Sequence, residues 1–244
     1  MEHLLYKEQR GFCCYCMRHL TVGTHTSLEH VMPHHCKNRC GETDYKVINY
    51  YKRFNKSFKN VVYTHLNGFN RPWHVGSPYP HFCAYENLVL SCDGSLYTDE
   101  DCGKNSYSSK LHLCCNEHRG NEQIVPIFFL SDISELIVYK NDGSIGISIK
   151  NVRSPRRQKE LSDTIDTLAL EHERLQIIRQ VWYYIANSHL YGIADVKSAI
   201  NNSDLRSNIL ADCGVPAKNE KRINQPIYWS LLCDYYWFYR YFSQ

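Results

Sequence analysis

The spacing of apolar positions changes along the chain, and the changes mark its elements. Residues 136–149 alternate around Asn141-Asp142-Gly143, an Asx-Gly pair that favours a two-stranded hairpin. From Asp163 or Thr164, either of which suits a helix N-cap, apolar residues recur at helical spacing: Ile165, Leu168, Leu170, Leu175, Ile178, Val181, Trp182 and Ile185. Further helices are predicted over 193–200, 204–211 and 227–242. The last of these carries Tyr228, Trp229, Tyr235, Tyr236, Trp237, Phe238, Tyr239, Tyr241 and Phe242. A helix apolar on all sides must be covered, either by its own core or by a partner. Residues 124–130 form a short apolar run, and 70–80, with Pro72, Pro78 and Pro80, read as loop. No repeat or low-complexity stretch interrupts the pattern.

Composition narrows the class. With 43% hydrophobic and 22% charged residues in 244, the chain has the makeup of a globular protein rather than a disordered one. No apolar run approaches the roughly 18 residues that span a bilayer. The opening Met1-Glu2-His3-Leu4-Leu5-Tyr6-Lys7 lacks the layout of a secretory signal, so the expected location is cytoplasmic, without membrane association. Thiols stay reduced there, and twelve cysteines then point to metal before disulfides.

Ten of the twelve precede residue 116. Cys13-Cys14-Tyr15-Cys16 contains a C-x2-C knuckle, which turns two thiolates toward one ion, and a tetrahedral zinc needs two more ligands. Cys92 supplies one. Cys114 or Cys115 supplies the other, with Cys115 preferred for its neighbour Asn116. The residues between Cys92 and Cys115 are rich in Asp, Gly, Ser and Asn and read as a surface excursion. Cys36 and Cys40, with Cys83 and Cys102 or a histidine, are candidates for a second zinc, or else ordinary buried or surface thiols. Cys213 and Cys233 read as core.

Between the two halves lie Leu28-Glu29-His30-Val31-Met32-Pro33 and Asn87-Leu88, and the second half ends in Cys115-Asn116. This ordered set resembles the HNH (ββα-metal) nuclease family in its cysteine-framed form. The resemblance implies an α+β fold: a zinc-stapled ββα-metal core with large loop and helical insertions, then a mostly α-helical C-terminal region. It places His30 as the general base, Glu29 and Asn116 as ligands of a catalytic Mg²⁺ (or Mn²⁺), and Asn87 as the residue holding the base-bearing strand and loop in register. His118, two residues past Asn116, points about 200° round an ideal helix and is a minor candidate. The zinc is structural. The chemistry suits the residue types: neutral imidazole accepts a proton near pH 7, and carboxylate and amide oxygens are hard ligands. The chain departs from the family in the insertion at about 34–86 and in the split second knuckle, which leaves the choice between Cys114 and Cys115 open.

Two basic stretches modify the meaning of a net charge of only +3. Residues 37–59 hold seven Lys or Arg interleaved with Tyr45, Tyr50, Tyr51, Phe54 and Phe58, and 150–159 hold five around Pro155. Basic heads grip phosphates while rings stack, so Lys52, Arg53, Lys56, Arg156 and Arg157 are candidate nucleic-acid contacts. Equally, 45–58 has apolar residues at helical spacing and reads as a surface helix with a solvated basic face.

The expected organisation is a nuclease core over 1–130, a β-hairpin and basic linker over 131–160, and a helical region over 161–244 that offers a partner-binding surface. Thr164-Ile165-Asp166-Thr167-Leu168-Ala169-Leu170 through Leu175, with Arg179, is similar to a segment of the HNH subunits of Septu-type and retron-associated anti-phage systems. Glu171-His172 departs from the usual Leu-Asn continuation. That likeness implies an ABC/SMC-type ATPase partner and degradation of nucleic acid, with DNA the expected substrate. The rival classes are a non-catalytic zinc module that binds nucleic acid or a protein, and a stand-alone restriction or homing-type HNH nuclease.

Overall fold

The computed structural model describes residues 1–33, 44–62, 79–81, 83–96, 113–215 and 223–244. After helix α1 (Glu2–Glu8) come strand β1 (Thr26–His30), helix α2 (Asp44–Lys52), and the short strands β2 (Val61–Val62) and β3 (Tyr79–Pro80). Strand β4 (Leu88–Cys92) and helix α3 (Cys115–Arg119) follow. A mixed α/β arrangement thus fills the N-terminal half. β1 pairs antiparallel with β4, Thr26 opposite Cys92, Glu29 opposite Val89 and His30 opposite Leu88. Every residue of β4 is buried, as expected of a strand covered on both faces. One cover is α1, docked by Gln9, whose amide donates to Leu90 O at 2.8 Å and accepts from Leu90 N at 2.7 Å.

The predicted hairpin forms as β5 (Ile137–Tyr139) and β6 (Ile145–Ile147), preceded by the one-turn helix α4 (Ile133–Leu136). Its turn docks on the helical region. Gly143 has φ +79°, and a Cβ there would lie 1.9 Å from Gln176 O, so only glycine fits. Arg179 donates to Gly143 O at 2.5 Å and to Leu170 O at 3.0 Å.

The helical half comprises α5 (Pro155–Thr167), α6 (Glu173–Ser188), α7 (Ile193–Ala199), α8 (Ser203–Asp212), α9 (Pro226–Asp234) and α10 (Trp237–Phe242). Four sequence expectations are corrected. The basic linker does not reach residue 160: α5 starts at Pro155, with Ser154 as N-cap accepting from Arg157 N. Neither Asp163 nor Thr164 caps a helix. Thr164 is buried mid-helix, donating to Glu160 O and accepting from Val125 N at 2.9 Å. The periodic run then breaks after Leu168, where Ala169 takes φ +49° and His172 caps a new helix. The aromatic C-terminus is two helices, not one, broken at Tyr235-Tyr236.

One core joins the halves. It runs from Leu5 through the cysteines at 13, 16, 92, 114 and 115, along α5 and α6, to Tyr228, Trp229, Tyr235 and Phe238. The C-terminal aromatics are therefore largely core, each fully buried large side chain contributing about 1.5–3 kcal/mol. Trp182 satisfies its indole N–H on Leu232 O at 3.1 Å. A second cluster packs Val31, Met32, Val47, Ile48, Tyr51, Phe58 and Val89 beneath α2. Among the described residues no helix is long and apolar enough to cross a membrane.

Candidate metal centre

Four sulfurs separated by up to 102 positions converge. The knuckle closes where Cys13 N donates to Arg18 O at 2.8 Å and Met17 N to Cys13 O at 3.2 Å, with Met17 in the left-handed region. It lies along β4, Cys14 N donating to Leu90 O. Cys92 ends β4, and Cys115 begins α3 at φ +57°, a conformation that costs a non-glycine residue about 1–3 kcal/mol. Gly94 admits the second half: Cys114 N donates to its carbonyl, and a Cβ at Gly94 would stand 2.5 Å from Cys114 O.

Cys13, Cys16, Cys92 and Cys115 are buried, with all four sulfurs within 4.8 Å of one another. Zinc–sulfur bonds of about 2.3 Å in a tetrahedron require sulfurs about 3.8 Å apart. The Cys13–Cys115, Cys16–Cys92 and Cys92–Cys115 separations are 3.9, 3.7 and 3.6 Å. The four could hold a metal ion such as zinc. Cys115, rather than its buried neighbour Cys114, completes this set.

The thiols report the same fit electrostatically. Burial opposes ionisation at Cys13, but hydrogen bonds from Cys115, Cys14, Cys16 and Cys92 hold its thiol well below the usual range. Burial pushes Cys16 and Cys115 well above it. A bound dication would favour the thiolate form of these sulfurs. Tyr235 from the aromatic C-terminus places its hydroxyl 3.5 Å from Cys16 Sγ. Arg18, just past the knuckle, ion-pairs with Asp93 at 3.2 Å and Asp234 at 3.1 Å.

An oxygen-rich group lies at the other end of β1. Glu29 on β1 and Asn116 on α3 are within hydrogen-bonding reach of each other. Burial, then the negative charge of Glu117, push the Glu29 carboxyl up to about 7, against the opposing pull of Arg119 and Asn116. A half-buried carboxylate beside a second acid and an amide oxygen suits a hard divalent cation. His30, half-buried, is the last residue of β1, and strand alternation sets it on the side opposite Glu29. Asn87 is fully buried: its Oδ1 accepts from Met32 N at 2.7 Å, and its Nδ2 donates to Met32 O at 3.0 Å and His81 O at 2.8 Å. It thereby ties the chain leaving His30 to the turn before β4. His118 faces away, its Nδ1 2.9 Å from Thr167 O.

Of the other candidates, Cys36, Cys40 and Cys102 lie outside the described residues, and Cys83 is exposed. Arg53, Arg156 and Arg157 converge; Lys56 is exposed and Lys52 half-buried. Tyr51 and Phe58 are fully buried, so those two rings are core and no stacking platform. Sequence reasoning missed Arg119. Its buried guanidinium donates to the carbonyls of His30 and Val31 and to the hydroxyls of Tyr15 and Tyr51, clamping α3 to the end of β1. Only its place three residues past Asn116 hinted at that. Glu117 and Tyr235 were missed as well. No protein-family model, no curated protein and no solved structure matches the chain.

Proposed function

We propose that the chain is a metal-dependent HNH endonuclease that hydrolyses phosphodiester bonds of nucleic acid, with DNA as the expected substrate. The observation that carries this reading is the meeting of Glu29, on a strand, with Asn116, on a helix that begins at a cysteine of the four-sulfur cluster. The order is strand, strand, helix, with a sulfur cluster closing one end and an oxygen pair at the other.

In this reading Glu29 and Asn116 hold Mg²⁺ or Mn²⁺, which supplies charge stabilisation to the phosphate and the leaving oxygen. His30 takes the proton from the attacking water as a neutral imidazole. Asn87 and Arg119 are positioning residues, holding the backbone at 30–32 through side chains that substrate does not touch. Zinc at the four cysteines is structural: it fixes α3, and so Asn116, against β4.

We carry the defence-complex reading with it, with an ABC/SMC-type ATPase partner, on the likeness of 164–175 and Arg179. The test is plasmid nicking by the zinc-loaded chain with Mg²⁺ or Mn²⁺, with the candidate ATPase present. His30→Ala abolishes cleavage and leaves zinc content and melting unchanged. Cleavage surviving that substitution contradicts the proposal.

A further inference from the structure

The two basic stretches, a hundred positions apart in sequence, meet on one surface patch. Arg53 follows α2; Arg156 and Arg157 lie in the first turn of α5. All three reach the Glu160 carboxylate, at 3.9, 3.1 and 3.7 Å. The Phe54 ring sits between two of them, with Arg53 and Arg157 guanidinium carbons 5.4 and 5.3 Å from its centroid. Arg53 also lies 5.4 Å from the Tyr50 ring. Beside them is a hollow of about 370 Å³ lined by Arg53, Phe54, Arg157, Ser131 and Asp132.

Stability alone does not account for this arrangement. The first turn of α5 holds no acidic residue and two arginines, at the end of the helix dipole where cations are disfavoured. Three guanidinium charges face two carboxylates, Glu160 and Asp132. The rings restrict the guanidinium planes, so part of the ordering cost of a fork-like contact is met in advance. An excess of oriented guanidinium at a helix N-terminus, open to solvent, suits phosphate oxygens.

We propose that Arg53, Arg156 and Arg157 form a seat for backbone phosphates of the nucleic-acid substrate, gripping it without reading its bases. Glu160 is the internal counter-ion that the phosphates displace. The substrate class rests on the nuclease reading; the anion site rests on the patch itself.

The experiment is fluorescence anisotropy of a labelled duplex DNA with the full zinc-loaded chain, without added Mg²⁺, over roughly 50–200 mM salt. Arg53→Gln/Arg156→Gln/Arg157→Gln weakens binding about 10- to 100-fold at the low end, equally for unrelated sequences. It also lowers the log K against log salt slope by about 2.7, near 0.9 per lost phosphate contact. Glu160→Gln tightens binding several-fold, a gain that damage to the fold would not produce. The proposal is overturned if the triple variant binds like wild type with an unchanged slope, or if Glu160→Gln weakens binding. Nicking that depends on His30, with binding indifferent to the arginines, removes the seat and leaves the nuclease. Arginine-dependent binding without nicking does the reverse.

Discussion

Replacing Asn87 by alanine tests how the loop after β1 is held. The side chain is fully buried and makes three hydrogen bonds, to Met32 N, Met32 O and His81 O. Met32 and His81 are themselves buried, so truncation strands polar groups away from water. Each stranded group costs about 1–3 kcal/mol, and relaxation into the small space left behind holds the sum near the low end, about 3 kcal/mol. At about 2–4 °C per kcal/mol for a chain of this size, melting should fall by about 6–12 °C. Calorimetry of zinc-loaded protein measures it. Asn87→Asp adds a pH arm. A carboxylate facing two carbonyl oxygens has its folded pKa raised above the ordinary value near 3.9. Its relative stability is therefore best at low pH and lost as pH rises through that range. The aspartate variant should lie closer to wild type at pH 5 than at pH 8. A melting temperature within about 2 °C of wild type for Asn87→Ala, or the opposite pH trend for Asn87→Asp, refutes the reasoning.

Three further outcomes follow from the same geometry. Tyr235→Phe removes the hydroxyl beside Cys16 Sγ, and zinc should pass to a competing chelator with about tenfold lower apparent affinity, read by a chromogenic zinc indicator. Gly143→Ala forces a Cβ into Gln176 O at positive φ and should cost at least about 2 kcal/mol in urea unfolding. Burial pushes the Cys213 and Cys233 thiols up to about 12 and about 11. At pH 8 each is then about one part in a thousand thiolate or less, so peptide mapping after alkylation should find the exposed Cys83 labelled well ahead of both.

What was legible in the sequence was what local chemistry dictates. Asn141-Asp142-Gly143 announces its hairpin because few other tripeptides tolerate that turn, and the cysteine spacing marks the four sulfurs because a knuckle is local. Asn87 and Glu29 could be singled out from an ordered pattern. The start of α5 was misplaced although Ser154-Pro155 is a cap-and-first-turn signal; the run of arginines around it reads as linker when charge is weighed above capping. The break at Ala169 was hidden because apolar spacing continues across it, while Arg179 secures the Leu170 carbonyl from another helix. Arg119 left almost no trace in the sequence: its partners, Tyr15, His30, Val31 and Tyr51, lie 68 to 104 positions away. Tyr51 and Phe58 look like stacking rings until packing shows both sealed in the second core cluster.

Central to the proposed function is a division of labour in which the four-cysteine cluster would hold a structural metal and Glu29 with Asn116 a separate hard cation. Isothermal titration of Mn²⁺ into the zinc-loaded chain tests this directly and does not depend on an activating partner. One Mn²⁺ site should appear, be lost in Glu29→Ala and weakened in Asn116→Ala, with zinc content unchanged in both. Equal Mn²⁺ binding by wild type and both variants, or loss of zinc with either substitution, would contradict it.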